Sequence, residues 1–346
     1  MADLRLGDQG LQNFTPLMTL VPRVENMLEK MGLFDVDYSE ESVVAFERIV
    51  TGMDNMYSVA RGADRQIAGD DEARTAWVEI PFFSLDYIIK PKDVQSLREF
   101  ATAQDPETVR SKAARVIARI QKSHAKTIQK CMYQALKGST YAVDADGNPR
   151  PNLQRSFQSM FEIADADMYN GAAGGAASYD LTDQAINPAD EFEKVRKHVF
   201  NKAGDLGDDY EIVAILGTDA FTALKNHTDY VEAFANYASQ EEPLRQRLGG
   251  LSTGRVLRWQ GITYLEDVSG QVESNKGYVF PRGVDDMFKT IYGHSDTIAG
   301  ANREEEISEG YLFIMSDLRK EIVSSDLAVV CCNSRPDLIA SYTFTV

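Results

Sequence analysis

Cysteine is scarce in this chain. Its 346 residues hold three, Cys131, Cys331 and Cys332. Three cysteines build no disulfide framework, and no pair has the C-x-x-C spacing of a metal or redox site. Neighbouring residues of a strand point to opposite faces, so Cys331 and Cys332 are poorly placed to bond each other. All three are expected to be reduced, buried and apolar in behaviour. Long hydrophobic runs are missing too. No window approaches the roughly 18 uncharged apolar residues that a membrane-spanning helix needs. The first residues, MADLRLGDQG, have neither a basic start nor an apolar stretch, so no secretory signal is expected. The chain is expected to stay in a reducing cytoplasm until something else moves it. His124, His198, His227 and His294 are scattered, and no His, Cys and carboxylate cluster has ligand or triad spacing. Positive charge is in short supply: 36 Lys and Arg stand against 53 Asp and Glu, a net charge of −17. Such a surface repels nucleic acid, which argues against a high-affinity DNA reader.

What is present is an ordinary core fraction, 43% hydrophobic residues. The length suggests two or three domains, or one with large excursions. Residues 1–40 read as an arm around Pro16 and Pro22, with a short helix in PRVENMLEKMG closed by Gly32. In residues 41–92, SVVAFERIV and WVEIPFFSLDYII read as two long strands rich in β-branched and aromatic residues. The polar ARGADRQIAGDDEART between them reads as the tip of a long hairpin, too long for a tight turn and therefore mobile or docked. Long projections on a small core call for neighbouring subunits, and the charged tip residues Arg61, Asp64, Arg65, Asp70, Asp71 and Arg74 are candidates for that contact.

DPETVRSKAARVIARIQKSHAKTIQKCMYQALKG, residues 105–138, is the clearest helix. Asp105 is placed to cap it, Pro106 sits at its first position and Gly138 stops it. Val109, Ala113, Val116, Ile120, His124, Ile128, Cys131 and Ala135 recur every three or four residues as one stripe. The outer face is basic: Arg110, Lys112, Arg115, Arg119, Lys122, Lys126 and Lys130, with no acid between the first and the last. It reads either as a solvated face or as a surface turned towards a polyanion. Residues 139–186 are Gly-, Asn-, Asp- and Ala-rich, an irregular insertion. A mixed α/β pattern follows: helix PADEFEKVRKHVFNKAG, strand YEIVAILG, one helix DAFTALKNHTDYVEAFANYA, a helical EEPLRQRLGG, strand RVLRWQGITYLED and strand GYVFPRG. Extended segments surround the acidic GANREEEISEG. DLAVVCCNSRPDLIASYTFTV then reads as two strands around a turn, tying the end of the chain into a sheet. The fold class is α+β.

Local catalytic signals do not hold up. ILGTDAF is a strand–turn–helix junction, but a dinucleotide fingerprint needs G-x-G-x-x-G and only Gly217 is there. Thr218 or Asp219 is read as an ordinary N-cap. GLSTG, residues 250–254, matches the nucleophile elbow in letters, yet helix precedes and strand follows, the reverse of what Ser252 would need. DADGN opens like a calcium loop, but Arg155 stands where a bidentate glutamate is required. GAAGGAAS lacks the G-K-[ST] of a phosphate loop. No catalytic, metal or cofactor-binding residue is assigned, and no cofactor is expected.

Taken in order, four stretches resemble the lambda-like family of tailed-phage major capsid proteins, with their Hong Kong 97-type fold. RGADRQ…VEIPFFSLDYIIKPKDVQSLREF is similar to that family's extended E-loop. DPETVRSKAARVIARIQKSHAKTIQKCMYQALKGSTY resembles the spine helix with its L-K-G-x-x-Y exit. VAILGTDAFTALKNHTDYVEAF is similar to a strand and helix of the axial domain. SSDLAVVCCNSRPDLIASYTFTV is similar to the terminal strands, with Pro336 and Asp337 at the turn. The resemblance implies an N-terminal arm (1–40), an E-loop hairpin (41–92), a peripheral domain (93–138 and 281–324), an insertion (139–186) and an axial domain (187–280 and 325–346). It implies a subunit of an icosahedral virion shell, tiled in hexamers and pentamers around packaged double-stranded DNA and assembled in a bacterial cytoplasm. Its partners would be itself, a portal, a separate scaffold, since only about 40 residues precede the hairpin, and a decoration protein in some shells. The basic helix face would meet DNA phosphates, or acids of a neighbouring subunit or scaffold. Two other readings are an encapsulin-like cage around cargo enzymes and, in a different class, a cytoplasmic α/β hydrolase using Ser252 or Asp219.

Overall fold

The computed structural model describes residues 11–16, 26–50, 72–92, 109–169, 177–184, 187–203, 210–236, 255–284, 286–317 and 319–346. Within them the strands are β1 (Leu11–Asn13), β2 (Asp35–Tyr38), β3 (Val43–Val50), β4 (Glu72–Glu79), β5 (Phe82–Ile89), β6 (Ala177–Asp180), β7 (Glu211–Leu216), β8 (Val256–Trp259), β9 (Ile262–Glu266), β10 (Lys276–Arg282), β11 (Phe288–Tyr292), β12 (Tyr311–Asp317), β13 (Lys320–Asn333) and β14 (Ala340–Thr345).

One six-stranded sheet runs β1-β12-β13-β11-β2, with β5 also on β13. The 14-residue β13 is its axis. Its first half pairs with β12 and β5 and its last five residues with β11. In the first half only alternate residues, Val323, Ser325 and Leu327, are buried, while everything from Leu327 to Asn333 is buried. That change marks a strand covered on one face that becomes covered on both. The long helix Val109–Leu136 packs on β13 and is about 42 Å long at 1.5 Å per residue. Ile120, His124, Ile128, Cys131 and Ala135 of the expected stripe are buried against it, and Ala113 and Val116 are half-buried. His124 is a packed histidine, its Nε2 hydrogen-bonded to Ser325 Oγ at 2.5 Å. Gly138, at φ +91°, ends the helix; its expected cap, Asp105, and Pro106 lie outside the described residues.

The second sheet runs β6-β14-β10-β7-β9-β8. Its centre, β7, is buried from Ile212 to Leu216, as its unbroken apolar run requires. Helices Pro188–Ala203, Thr218–Asn226 and Thr228–Asn236 flank it. One contiguous core joins the two sheets, with Phe280 against Phe288 at 6.0 Å between ring centroids. The three cysteines are free and buried.

Several elements differ from their sequence reading. WVEIPFFSLDYII is two strands: Ile80 and Pro81 break it, β4 stays in a two-stranded sheet with β3, and β5 crosses to β13. Proline has no N–H for a ladder, so the strand changes partner there. RVLRWQGITYLED is a hairpin, because Gln260 and Gly261 at φ +48° and +78° form a two-residue turn. The helix read across residues 219–238 is broken at His227, whose backbone is extended and whose ring is buried with Nε2 3.3 Å from the Asp183 carbonyl. The short helix expected in the arm is present as Met27–Lys30, set by a capping box of Asn26 and Glu29, and the arm also adds β1 and β2 at opposite edges of the first sheet. The insertion is partly core, with Phe157 and Phe161 buried and β6 added to the second sheet. The segment read as helical EEPLRQRLGG lies outside the described residues.

Candidate assembly surfaces

The strand–turn–helix at Gly217 carries no chemistry. Gly217, not Thr218 or Asp219, caps the helix, and no side chain accepts from its first turn. The amides of Asp219 and Ala220 instead donate to the Ser274 carbonyl, at 3.1 and 3.0 Å. A helix N-terminus becomes an anion site when these amides are free; here backbone oxygen consumes them. Ser252 lies outside the described residues. Asp144 holds its own turn, its Oδ1 accepting from the amides of Asp146 and Asn148 at 3.0 and 2.8 Å. That is an Asx turn rather than a calcium loop.

The long helix exposes part of its basic face. Arg115, Arg119, Lys122 and Lys126 are exposed, and Lys112 and Lys130 are half-buried. The side chain of Arg110 lies outside the described ones. Arg119 stands over the Tyr87 ring at 5.6 Å and Lys130 over Tyr141 at 6.0 Å. These are cation–π contacts that fix where the charges sit.

The hairpin differs from expectation at its base. Arg61, Asp64, Arg65, Asp70 and Asp71 lie outside the described residues. The described part, β3 on β4, does not wait for a neighbour to cover its inner face. Phe46, Ala76 and Val78 are buried in the main core of the same chain. Two cross-strand partners, Arg48 and Arg74, fasten that face. Arg48 reaches the carboxylate of Asp337 at 3.3 Å. Asp337 is almost fully buried in the turn before β14 and is also held by Arg335 at 3.2 Å. Arg74 donates to Glu162 Oε2 at 2.9 Å and to the Phe161 carbonyl at 3.3 Å. From sequence, Asp337 falls at a turn and Arg74 at a tip, and Arg48 carries no signal. Nothing local links residue 48 to residue 337; only the register of β3 on β4 and the path of the tail bring them together.

A groove of about 730 Å³ lies beside the hairpin base, lined among others by Val43, Glu79, Ile80, Phe82 and His294. Carboxylates gather around it. Asp326 of β13 is pushed up to about 6, first by burial and then by the charges of Asp296 and Asp86. Among the described residues no cluster of His, Cys, Asp and Glu is fit to hold a metal ion, and no helix is long and apolar enough to cross a membrane.

Two packed sheets and one long amphipathic helix across a 14-residue strand make up the described fold, and the same overall fold occurs among solved phage capsids. The capsid of cyanophage Pam1 superposes with a TM-score of 0.53 at 11% identity, over 90% of this chain and 88% of its own. The capsid of cyanophage P-SCSP1u does so at 0.52 and 9% identity, over 94% and 90%. These share the mixed α+β fold of Hong Kong 97-like capsids. The major capsid protein of Pseudomonas phage KPP10 is 26% identical over 329 residues, 90% of this chain and 89% of that one. The family model for phage major capsid protein E matches residues 10–327. The chain belongs to that family: it is a major capsid protein, a structural component of a virion shell and not an enzyme.

Proposed function

We propose that the chain tiles an icosahedral shell as hexamers and pentamers around packaged double-stranded DNA. The observation that carries this is the family match across most of the chain, residues 10–327. In this reading the first sheet and the long helix form the peripheral domain, and the second sheet with its flanking helices forms the axial domain, with β13 running from one into the other. The hairpin tip reaches a neighbouring subunit from a base that its own subunit holds. A scaffold and a portal complete the assembly. Expression of the chain with the gene products encoded beside it, followed by electron microscopy, tests the proposal. Closed shells or ring-shaped capsomers are expected. A uniformly small, compact particle under all those conditions would overturn it.

A further inference from the structure

We infer that the acidic groove at the hairpin base receives the basic face of the long helix from a second copy of this chain. This rests on the shell reading and names one contact within it.

The groove has an apolar floor of Val43, Ile80, Phe82 and Ala328, and a rim carrying Glu41, Glu79 and Asp296, all three exposed. Glu40 shares that rim but is already held by Arg303 at 3.2 Å. Trp77 is 60% exposed. It lies two positions before Glu79 on the outer face of β4, so apolar surface continues past the groove. Both ring nitrogens of His294 are buried with no hydrogen-bond partner among the described residues.

The complement lies on the same chain. Lys122 and Lys126, about one helical turn apart, are exposed and share a cavity of about 510 Å³ with Glu266 and Asp267. Both carboxylates are engaged elsewhere. Arg255 holds Glu266 through two contacts of 2.7 and 2.6 Å. Asp267 accepts from the Tyr133 hydroxyl at 3.2 Å and from the Val272 amide at 2.7 Å. Among the described residues no ion pair joins either acid to Lys122 or Lys126.

A lysine can lay its apolar stem along the groove floor while its head reaches the rim. Rim ion pairs of this kind steer and set register more than they add affinity, which suits a subunit that must join its neighbours reversibly before a shell closes. The contact joins two different patches, so it is heterologous and closes into a ring when repeated by rotation. Packaged DNA is the competing occupant of the helix face, and it leaves the acidic groove without a role.

A charge swap separates the two. Three variants are compared with the unmodified chain, all expressed with the same partner gene products: K122E/K126E, E41K/E79K, and the fourfold combination. Empty shells are counted by sedimentation and electron microscopy. Each double variant should lower the yield at least about tenfold, and the combination should recover most of the loss. All four side chains are exposed, so circular dichroism should be unchanged throughout. Normal empty shells from K122E/K126E would overturn the inference and return the helix face to DNA. Failure of the combination to recover the lost yield would overturn it as well. Absence of shells from the unmodified chain would instead remove the shell reading itself.

Discussion

A methyl group at position 217 would stand 2.6 Å from the Ser274 carbonyl carbon, closer than side-chain atoms approach backbone. The φ of Gly217 is an ordinary −65°, so the requirement is for space and not for a left-handed backbone. The same Ser274 carbonyl serves the helix amides, and neither strand nor loop can yield without losing those bonds. Gly217→Ala should therefore destabilise the subunit by about 3 kcal/mol or more, read by denaturant unfolding. Asp219→Ala should change stability by about 0.5 kcal/mol or less, because the residue is exposed and caps nothing. Asp326 makes a prediction of the opposite sign. Its folded pKa is raised to about 6, against about 3.9 in an unfolded chain. The folded state therefore binds this proton more tightly, and stability at this site falls as pH rises from about 4 through 6. Asp326→Asn should raise the melting temperature at pH 7 and flatten its decline between pH 5 and 7. A variant as pH-sensitive as the parent would assign that dependence to other carboxylates.

At the scale of elements, the clearest reading from sequence was the long helix. Its three-and-four periodicity is a local signal, and burial followed the stripe almost residue by residue. Ile117, Gln121 and Met132, outside that stripe, are buried as well: Ile117 packs in a cluster with residues of β5, β12 and β13, and Met132 meets Asn26 of the arm. The errors share one cause. Turn and partner changes inside β-rich stretches depend on residues far away in sequence: Pro81 ends one pairing, but only β13, some 240 positions on, says where β5 goes. The hairpin base is the same case. Its inner face looked unpartnered because its partners, Phe161 and Asp337, belong to the insertion and the tail. Arg48→Ala removes one of two arginines from a buried carboxylate while Arg335 stays. The cost should be about 2 kcal/mol, with faster amide exchange across β3 and β4. Arg74→Ala, whose ion pair with Glu162 is exposed, should cost less than about 1 kcal/mol. If Arg48→Ala left exchange in β3 and β4 unaltered, the clamp would have no hold on the hairpin.

For the whole molecule, a fixed hairpin base and a tip with separate duties should be separable by surgery. Replacing residues 56–68 with a short Gly-Ser linker keeps β3, β4 and both arginines. The subunit should stay soluble, with a melting temperature within a few degrees of the parent by the usual tolerance of loop tips, yet yield few stable shells. Shells in normal number would place the tip outside the assembly contacts.

The 14-residue β13 has a mechanical meaning too. It bonds to β5 and β12 along its first half and to β11 along its last five residues, then continues through the Pro336–Leu338 turn into β14 of the other sheet. A pull that drew the two sheets apart along this strand would load its ladders in shear, with many hydrogen bonds resisting at once. Peeling a strand breaks its bonds one at a time; shearing it does not. The two sheets are thus joined along the strand's own direction, the loading in which a ladder of hydrogen bonds is hardest to break.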